Sequence, residues 1–133
     1  MIENYLEKIK NESNGFIHYN GIRIVSVDEE KSVLEADITE NACNVWGTVH
    51  GGFLYAMADT AAGAFMRIKH GVRNVTLNGS INYLRTTAGA KKLTAVAREV
   101  RVGGHVGFLE VDITSDAGKL IARAEFNMYI LRD

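Results

Sequence analysis

The twenty residues from His50 to Lys69 are apolar on nearly every side of a helix, with one carboxylate, Asp59, in their midst. A helix that is apolar all round is a helix covered all round. The almost wholly apolar part, Gly51–Met66, is 16 residues long with Asp59 inside it, so it is too short to span a bilayer. The rest of the chain must therefore build a shell around one buried helix. Ala56, Ala58, Ala61, Ala62, Gly63 and Ala64 keep its surface low, as close approach of a sheet or a second helix requires. Arg67, Lys69 and His70 fall at its C-terminal end, where cations oppose the helix dipole, and Gly71 is placed to cap it.

The remaining residues supply that shell as strands. Ile2, Leu6 and Ile9 predict a short amphipathic helix over residues 2–12, within an N-terminal segment 1–13. Asn14-Gly15 and Asn20-Gly21 are turn signals. Ile22–Val27 is a strand with Ile22, Ile24 and Ser26 on one face. The polar turn Asp28–Lys31 leads back into Ser32–Ile38, and Thr39–Gly47 is an irregular loop. After the helix come Val75–Thr86, Lys92–Val102, His105–Ser115 and Leu120–Leu131, joined by short turns and hence antiparallel. In the first of these, Val75, Leu77, Gly79, Ile81 and Tyr83 alternate onto one side. The expected architecture is a single α+β domain over residues 1–133, one curved antiparallel sheet wrapped around the helix at 50–69.

Composition removes several functions. A net charge of −1 with scattered Lys and Arg gives no field for nucleic acid or an acidic membrane surface. Cys43 is the only cysteine, so no internal disulfide forms and a reducing, cytoplasmic setting is expected. The N-terminal residues mix charge with apolar side chains and do not read as a signal peptide. No His, Cys, Asp and Glu cluster has metal-ligand spacing.

What is left is chemistry on the helix itself. Gly51 and Gly52 open it behind His50, where bare N–H groups carry partial positive charge. Asp59 lies eight residues after Gly51. A carboxylate among apolar residues is costly unless something pairs with it or uses it. Asn44, Gly47, His50, Gly51, Gly52 and Asp59, with Ile81–Arg85 and Gly118–Ala122, resemble the hotdog-fold acyl-CoA thioesterases of the phenylacetate-pathway type. The likeness covers about residues 15–130.

The resemblance implies hydrolysis of an acyl-CoA thioester to the free acid and CoA, with no cofactor beyond the CoA of the substrate. Such a reaction needs donors on the carbonyl oxygen and a base or nucleophile for its carbon. The Gly51 amide suits the first role, and Asn44 either adds a contact or holds the loop. Asp59 suits the second, activating water or attacking to form an anhydride. Thr76 matches the hydroxyl residue that positions the water in the family. His50 is placed either to bond loop backbone or to take part in the reaction. Phe53, Tyr55 and Met57 line an acyl pocket or simply pack the core.

For the CoA end, Gly52, Arg85, Lys91 and the turn at Gly104 and His105 are candidate contacts. That turn departs from the family, which often has Gly-Arg or Gly-Lys there. The eight residues between Gly51 and Asp59 span about 12 Å of helix, too far for one carbonyl to touch both. Two helices packed antiparallel across a two-fold axis would bring Asp59 of one chain to Gly51 of the other. The expectation is a homodimer with its active sites at the interface, pairing further into a homotetramer. Two other readings use the same scaffold, a non-catalytic acyl-CoA-binding protein and a hydroxyacyl-thioester dehydratase. The dehydratases usually carry a Pro-Gly signature before the helix, and this chain has no proline.

Overall fold

The computed structural model describes residues 15–132, so the helix expected over residues 2–12 lies outside the described residues. A short helix α1 (Gly15–Tyr19) precedes β1 (Ile22–Val27) and β2 (Ser32–Asp37). A single 3-10 turn at Glu40–Ala42 leads to the long helix α2 (Gly51–Lys69). Four strands follow: β3 (Arg73–Tyr83), β4 (Lys92–Val102), β5 (Val106–Ser115) and β6 (Leu120–Leu131). All six strands form one antiparallel sheet that wraps α2, the α+β hotdog arrangement the sequence implies. No described helix is long and apolar enough to cross a membrane.

The core is the inner side of α2 against the concave face of the sheet. Met57, Ala58, Ala61, Ala62, Phe65 and Met66 are fully buried against Leu34, Leu93, Leu109, Val111 and Phe126. Alanines in the middle of that face let β2 come so close that the buried Ser32 hydroxyl donates to the Ala61 carbonyl at 2.7 Å. At the far end of α2, Lys69 and His70 converge on Glu99 of β4, at 2.5 and 3.2 Å. Lys69 also lies over the Phe65 ring. The basic end of the helix is thus tied to the sheet as well as matched to the dipole.

Three expectations are corrected. The first concerns strand order, which is β1-β2-β4-β5-β6-β3. Although β3 precedes β4, it pairs with β6 at the sheet edge, and the segment between β3 and β4 crosses the end of the sheet. Thr87 in that crossing accepts the Val49 N–H at 2.8 Å, which pins it beneath the start of α2. β3 also stops at Tyr83 instead of Thr86, because β6 begins at Leu120 and the ladder ends with Tyr83 opposite Ala122.

The second concerns side-chain direction. β1 and β3 look like unbroken alternation, yet each carries a bulge, between Ile24 and Ser26 and between Thr76 and Asn78. A bulge adds one unpaired residue and reverses the in-out order beyond it. Val27, not Ser26, therefore joins Ile22 in the core. On β3, Val75 and Leu77 face outward, while Thr76 shares the helix-facing side with Gly79, Ile81 and Tyr83.

The third is the helix itself. It is buried along Phe53, Leu54, Met57, Ala58, Ala61, Ala62, Phe65 and Met66, but Tyr55, Ala56, Asp59, Thr60, Gly63 and Ala64 are only half-buried. One sheet can cover one side of a helix, so a strip of small and polar residues stays open in the single chain.

The ion pair with Lys69, followed by the contact with His70, holds the Glu99 carboxyl below its ordinary value of 4.5. A carboxyl depressed on folding stabilises the fold above the unfolded value, and that stability is lost as pH falls through the folded one. Glu99→Gln should therefore cost about 0.5–1 kcal/mol at pH 7. Thermal unfolding followed from pH 7 downward should show the difference from wild type closing in acid.

Candidate active site

Every fourth residue along one ridge of α2 meets β3, which runs in the opposite direction. Gly51 meets Tyr83, whose hydroxyl donates to the Gly51 carbonyl at 2.7 Å. Tyr55 packs edge-on to Phe126, with ring centroids 5.3 Å apart and its hydroxyl above Gly79. Asp59 Oδ1 accepts from the Thr76 hydroxyl at 2.5 Å. The Gly63 carbonyl accepts from Asn74 Nδ2 at 3.3 Å. A spacing of four keeps residues in line on a helix, so helix register and strand register are locked together. The Thr76–Asp59 contact exists only because the bulge turns Thr76 inward.

The start of α2 is held from several sides. His50 is the N-cap, and its Nδ1 accepts the Gly52 N–H at 2.8 Å. Its own N–H donates to the Ala42 carbonyl at 2.8 Å, and its carbonyl accepts from Phe53 and Leu54. With Tyr83 on the Gly51 carbonyl, the His50 carbonyl and the Gly51–Gly52 peptide are engaged on either side of the Gly51 N–H. The Gly51 N–H itself has no partner among the described residues. It is the orphan amide at the positive end of a nineteen-residue helix. Beside it opens a cleft of about 830 Å³ lined by Glu40, Cys43, Asn44, Val45, Gly47 and His50.

The remaining expected site residues divide clearly. Asn44 holds the loop: its Oδ1 accepts from the Trp46 and Thr48 N–H groups and its Nδ2 donates to the Thr48 hydroxyl. Gly52 and His50 satisfy each other, so the Gly52 amide is committed to the cap. Arg85 donates to the Leu120 carbonyl at 3.0 Å and borders a cleft of about 400 Å³ with Asp116 and Lys119. Gly104 and His105 lie at the opposite end of the sheet, where their carbonyls accept from Arg132 and from the Ile130 N–H. Tyr83 and Val75 are level with Ala122 and Tyr129 on β6, a separation of about 23 Å along that strand. One chain does not bring Arg85 and His105 to the same ligand.

Two participants were not singled out by the sequence reading. In the sequence Tyr83 reads only as one residue of an alternating strand, and its link to Gly51 depends on the fold. Gly79 carries a readable signal, a glycine inside an alternating strand. A Cβ there would lie 2.4 Å from the Phe126 ring and 2.6 Å from the Tyr55 hydroxyl.

Residues 46–122, more than half of the chain and including Gly51, Asp59, Thr76 and Tyr83, match the Thioesterase superfamily. The chain belongs to that family. This thioesterase is 31% identical over 102 residues to the acyl-coenzyme A thioesterase PaaI of Escherichia coli, covering 77% of this chain and 72% of the relative. The solved E. coli PaaI structure superposes with a TM-score of 0.85 at 26% identity, over 98% of this chain and 92% of that one. A 1,4-dihydroxy-2-naphthoyl-CoA hydrolase of Listeria monocytogenes is 32% identical over 103 residues, covering 76% of this chain and 83% of its own length. A thioesterase protein of Streptococcus pneumoniae solved with coenzyme A has a TM-score of 0.77 at 27% identity, over 87% and 94% of the two chains. The thioesterase described here is a hotdog-fold thioester hydrolase of the PaaI type.

Gly79→Ala forces a methyl group into the ring packing of Phe126 and Tyr55. It should lower stability by about 1–3 kcal/mol, measured by urea unfolding against wild type.

Proposed function

We propose that this thioesterase hydrolyses acyl-CoA thioesters at composite sites, each made by Asp59 and Thr76 of one protomer and the partner subunit's Gly51 N–H. The observation that carries the reading is the unpaired Gly51 N–H, framed by satisfied groups, on the same ridge as a hydrogen-bonded Asp59 eight residues away. The amide receives the thioester oxygen as negative charge develops on it. Asp59 activates water for attack on the carbonyl carbon, or attacks it directly to form an anhydride that water then hydrolyses to the free acid, restoring the carboxylate. In either case the C–S bond breaks and the CoA thiolate leaves to take up a proton. The hydrogen bond from Thr76 orients the carboxylate and leaves Oδ2 toward the substrate.

Three features support the paired arrangement. The open strip on α2 consists of small and polar residues suited to a second helix, and β3 is an edge strand with free backbone groups. If Asp59 faces the partner's Gly51, an antiparallel helix pair centres on Tyr55. On β3 the matching levels are Thr76 and Tyr83, whose midpoint falls between Gly79 and Ser80, directly under Tyr55. Helix and strand therefore point to one axis. The same axis carries the partner's Gly104 and His105 toward Arg85, which gives the CoA end contacts from two protomers.

The CoA-bound S. pneumoniae relative and the names of the E. coli and L. monocytogenes relatives support CoA as the carrier. The acyl group is aryl or fatty, and kcat/KM across a panel of aryl-acetyl, benzoyl and straight-chain acyl-CoAs identifies it. Pairing of dimers into a tetramer and a cytoplasmic setting, the latter suited to the lone Cys43, complete the proposal.

Asp59→Asn should lower kcat by at least about a thousandfold with the fold intact by circular dichroism, and unchanged turnover refutes its role. Thr76→Val should lower kcat by about tenfold, read in the same CoA-release assay. Mixing inactive Asp59→Asn and Gly51→Pro chains after partial unfolding should restore about a quarter of wild-type activity. Half of the re-formed dimers are then mixed, and each carries one intact site. No recovery, or an active monomer by size exclusion, overturns the shared site.

A further inference from the structure

We infer that Tyr83 is a positioning residue for the Gly51 donor, acting with His50 to clamp the Gly51–Gly52 peptide from both ends. The inference rests on the reading of Gly51 as the group that receives the thioester oxygen.

The peptide between Gly51 and Gly52 has two polar groups, and each is held by a different side chain. Tyr83 Oη donates to its carbonyl at 2.7 Å, and His50 Nδ1 accepts its N–H at 2.8 Å. The preceding peptide is fixed through the His50 carbonyl, which accepts from Phe53 at 3.0 Å and Leu54 at 3.3 Å. The Gly51 N–H belongs to that preceding peptide and adjoins the clamped one, so it is held from both sides. Its direction is therefore set before substrate arrives, which is what a preorganised donor requires.

The clamp also gives both glycines a steric reason. A Cβ on Gly51 would lie 3.0 Å from Tyr83 Cζ and Oη, and a Cβ on Gly52 would lie 2.9 Å from His50 Nδ1. Each glycine leaves the space its clamping ring occupies. Tyr83 in turn reaches Gly51 only from the last paired position of β3, opposite Ala122. Burial, then the neighbouring Tyr55, pushes the Tyr83 phenol above its ordinary value of 10.0, so it remains a donor through neutral and mildly basic pH.

Tyr83 is half exposed and its ring stays in Tyr83→Phe, so that variant removes the hydrogen bond and little packing. The expected result is a fall in kcat of about tenfold, since small misplacements of a reacting contact are costly. KM should stay within about twofold, and the melting temperature close to wild type. His50→Ala should lower kcat as well, and the double variant should lose less than the product of the two single losses, because both act on one peptide. Gly51→Pro removes the N–H at the first helical position, where proline is tolerated, and tests the underlying reading beside Gly51→Ala, which keeps the N–H and controls for the Cβ placed 3.0 Å from Tyr83. An inactive, folded Gly51→Pro beside a Tyr83→Phe with wild-type kcat overturns the positioning role and leaves the donor standing. An active Gly51→Pro overturns the donor itself. A loss in Tyr83→Phe that tracks a large fall in melting temperature also overturns the inference, because it reports structure alone.

Discussion

The contact on which the molecule depends is the seam between α2 and the edge strand β3. Gly51, Tyr55, Asp59 and Gly63 recur every fourth residue and meet Tyr83, Gly79, Thr76 and Asn74 in reverse order. Two of the four partners are hydroxyls and one is an amide, so much of the seam is hydrogen-bonded. That polarity is compatible with a site, whereas the buried side of the same helix is purely apolar. One helix therefore serves two purposes on two faces. Its inner face supplies the core, and its seam holds Gly51 and Asp59 at fixed heights along β3.

Rigidity at the helix start follows from the way backbone groups are spent. His50 uses its ring, its amide and its carbonyl, and Asn44 uses both ends of its side chain, to hold a turn that carries no regular structure. At the helix start the Gly51 amide is left with no partner among the described residues. Thioester hydrolysis needs such a donor to be in place before charge develops, since reorganisation at that moment adds to the barrier. The same economy explains why His50 reads as a cap in the structure. Its Nδ1 is bound to the Gly52 N–H, so what it fixes is the direction of the peptide it holds.

Much of this was legible in the chain. The central helix, the α+β class and the limits of β4 and β6 follow from local pattern, as does the place of Gly51 and Asp59 on one ridge of the helix. Strand alternation failed in β1 and β3 because a bulge leaves no mark on an apolar-polar pattern; Val25 and Leu77 look like ordinary strand residues. Strand order failed because short connections suggest neighbours, while the helix inserted after β2 delivers β3 to the far edge. Tyr83 was invisible as a site residue since its partner is thirty-two positions away and is a backbone carbonyl.

By itself the sequence determined that one helix is enclosed by antiparallel strands, and that a donor amide and a carboxylate sit eight residues apart on it. Those are consequences of periodicity and spacing, which the covalent chain carries directly. The tertiary structure decided which hydroxyls reach that donor and that carboxylate, and which side of the helix stays open. Such choices depend on where a bulge reverses a strand and on which strand ends at the edge. Long-range pairing settles both, and no local stretch of residues encodes it.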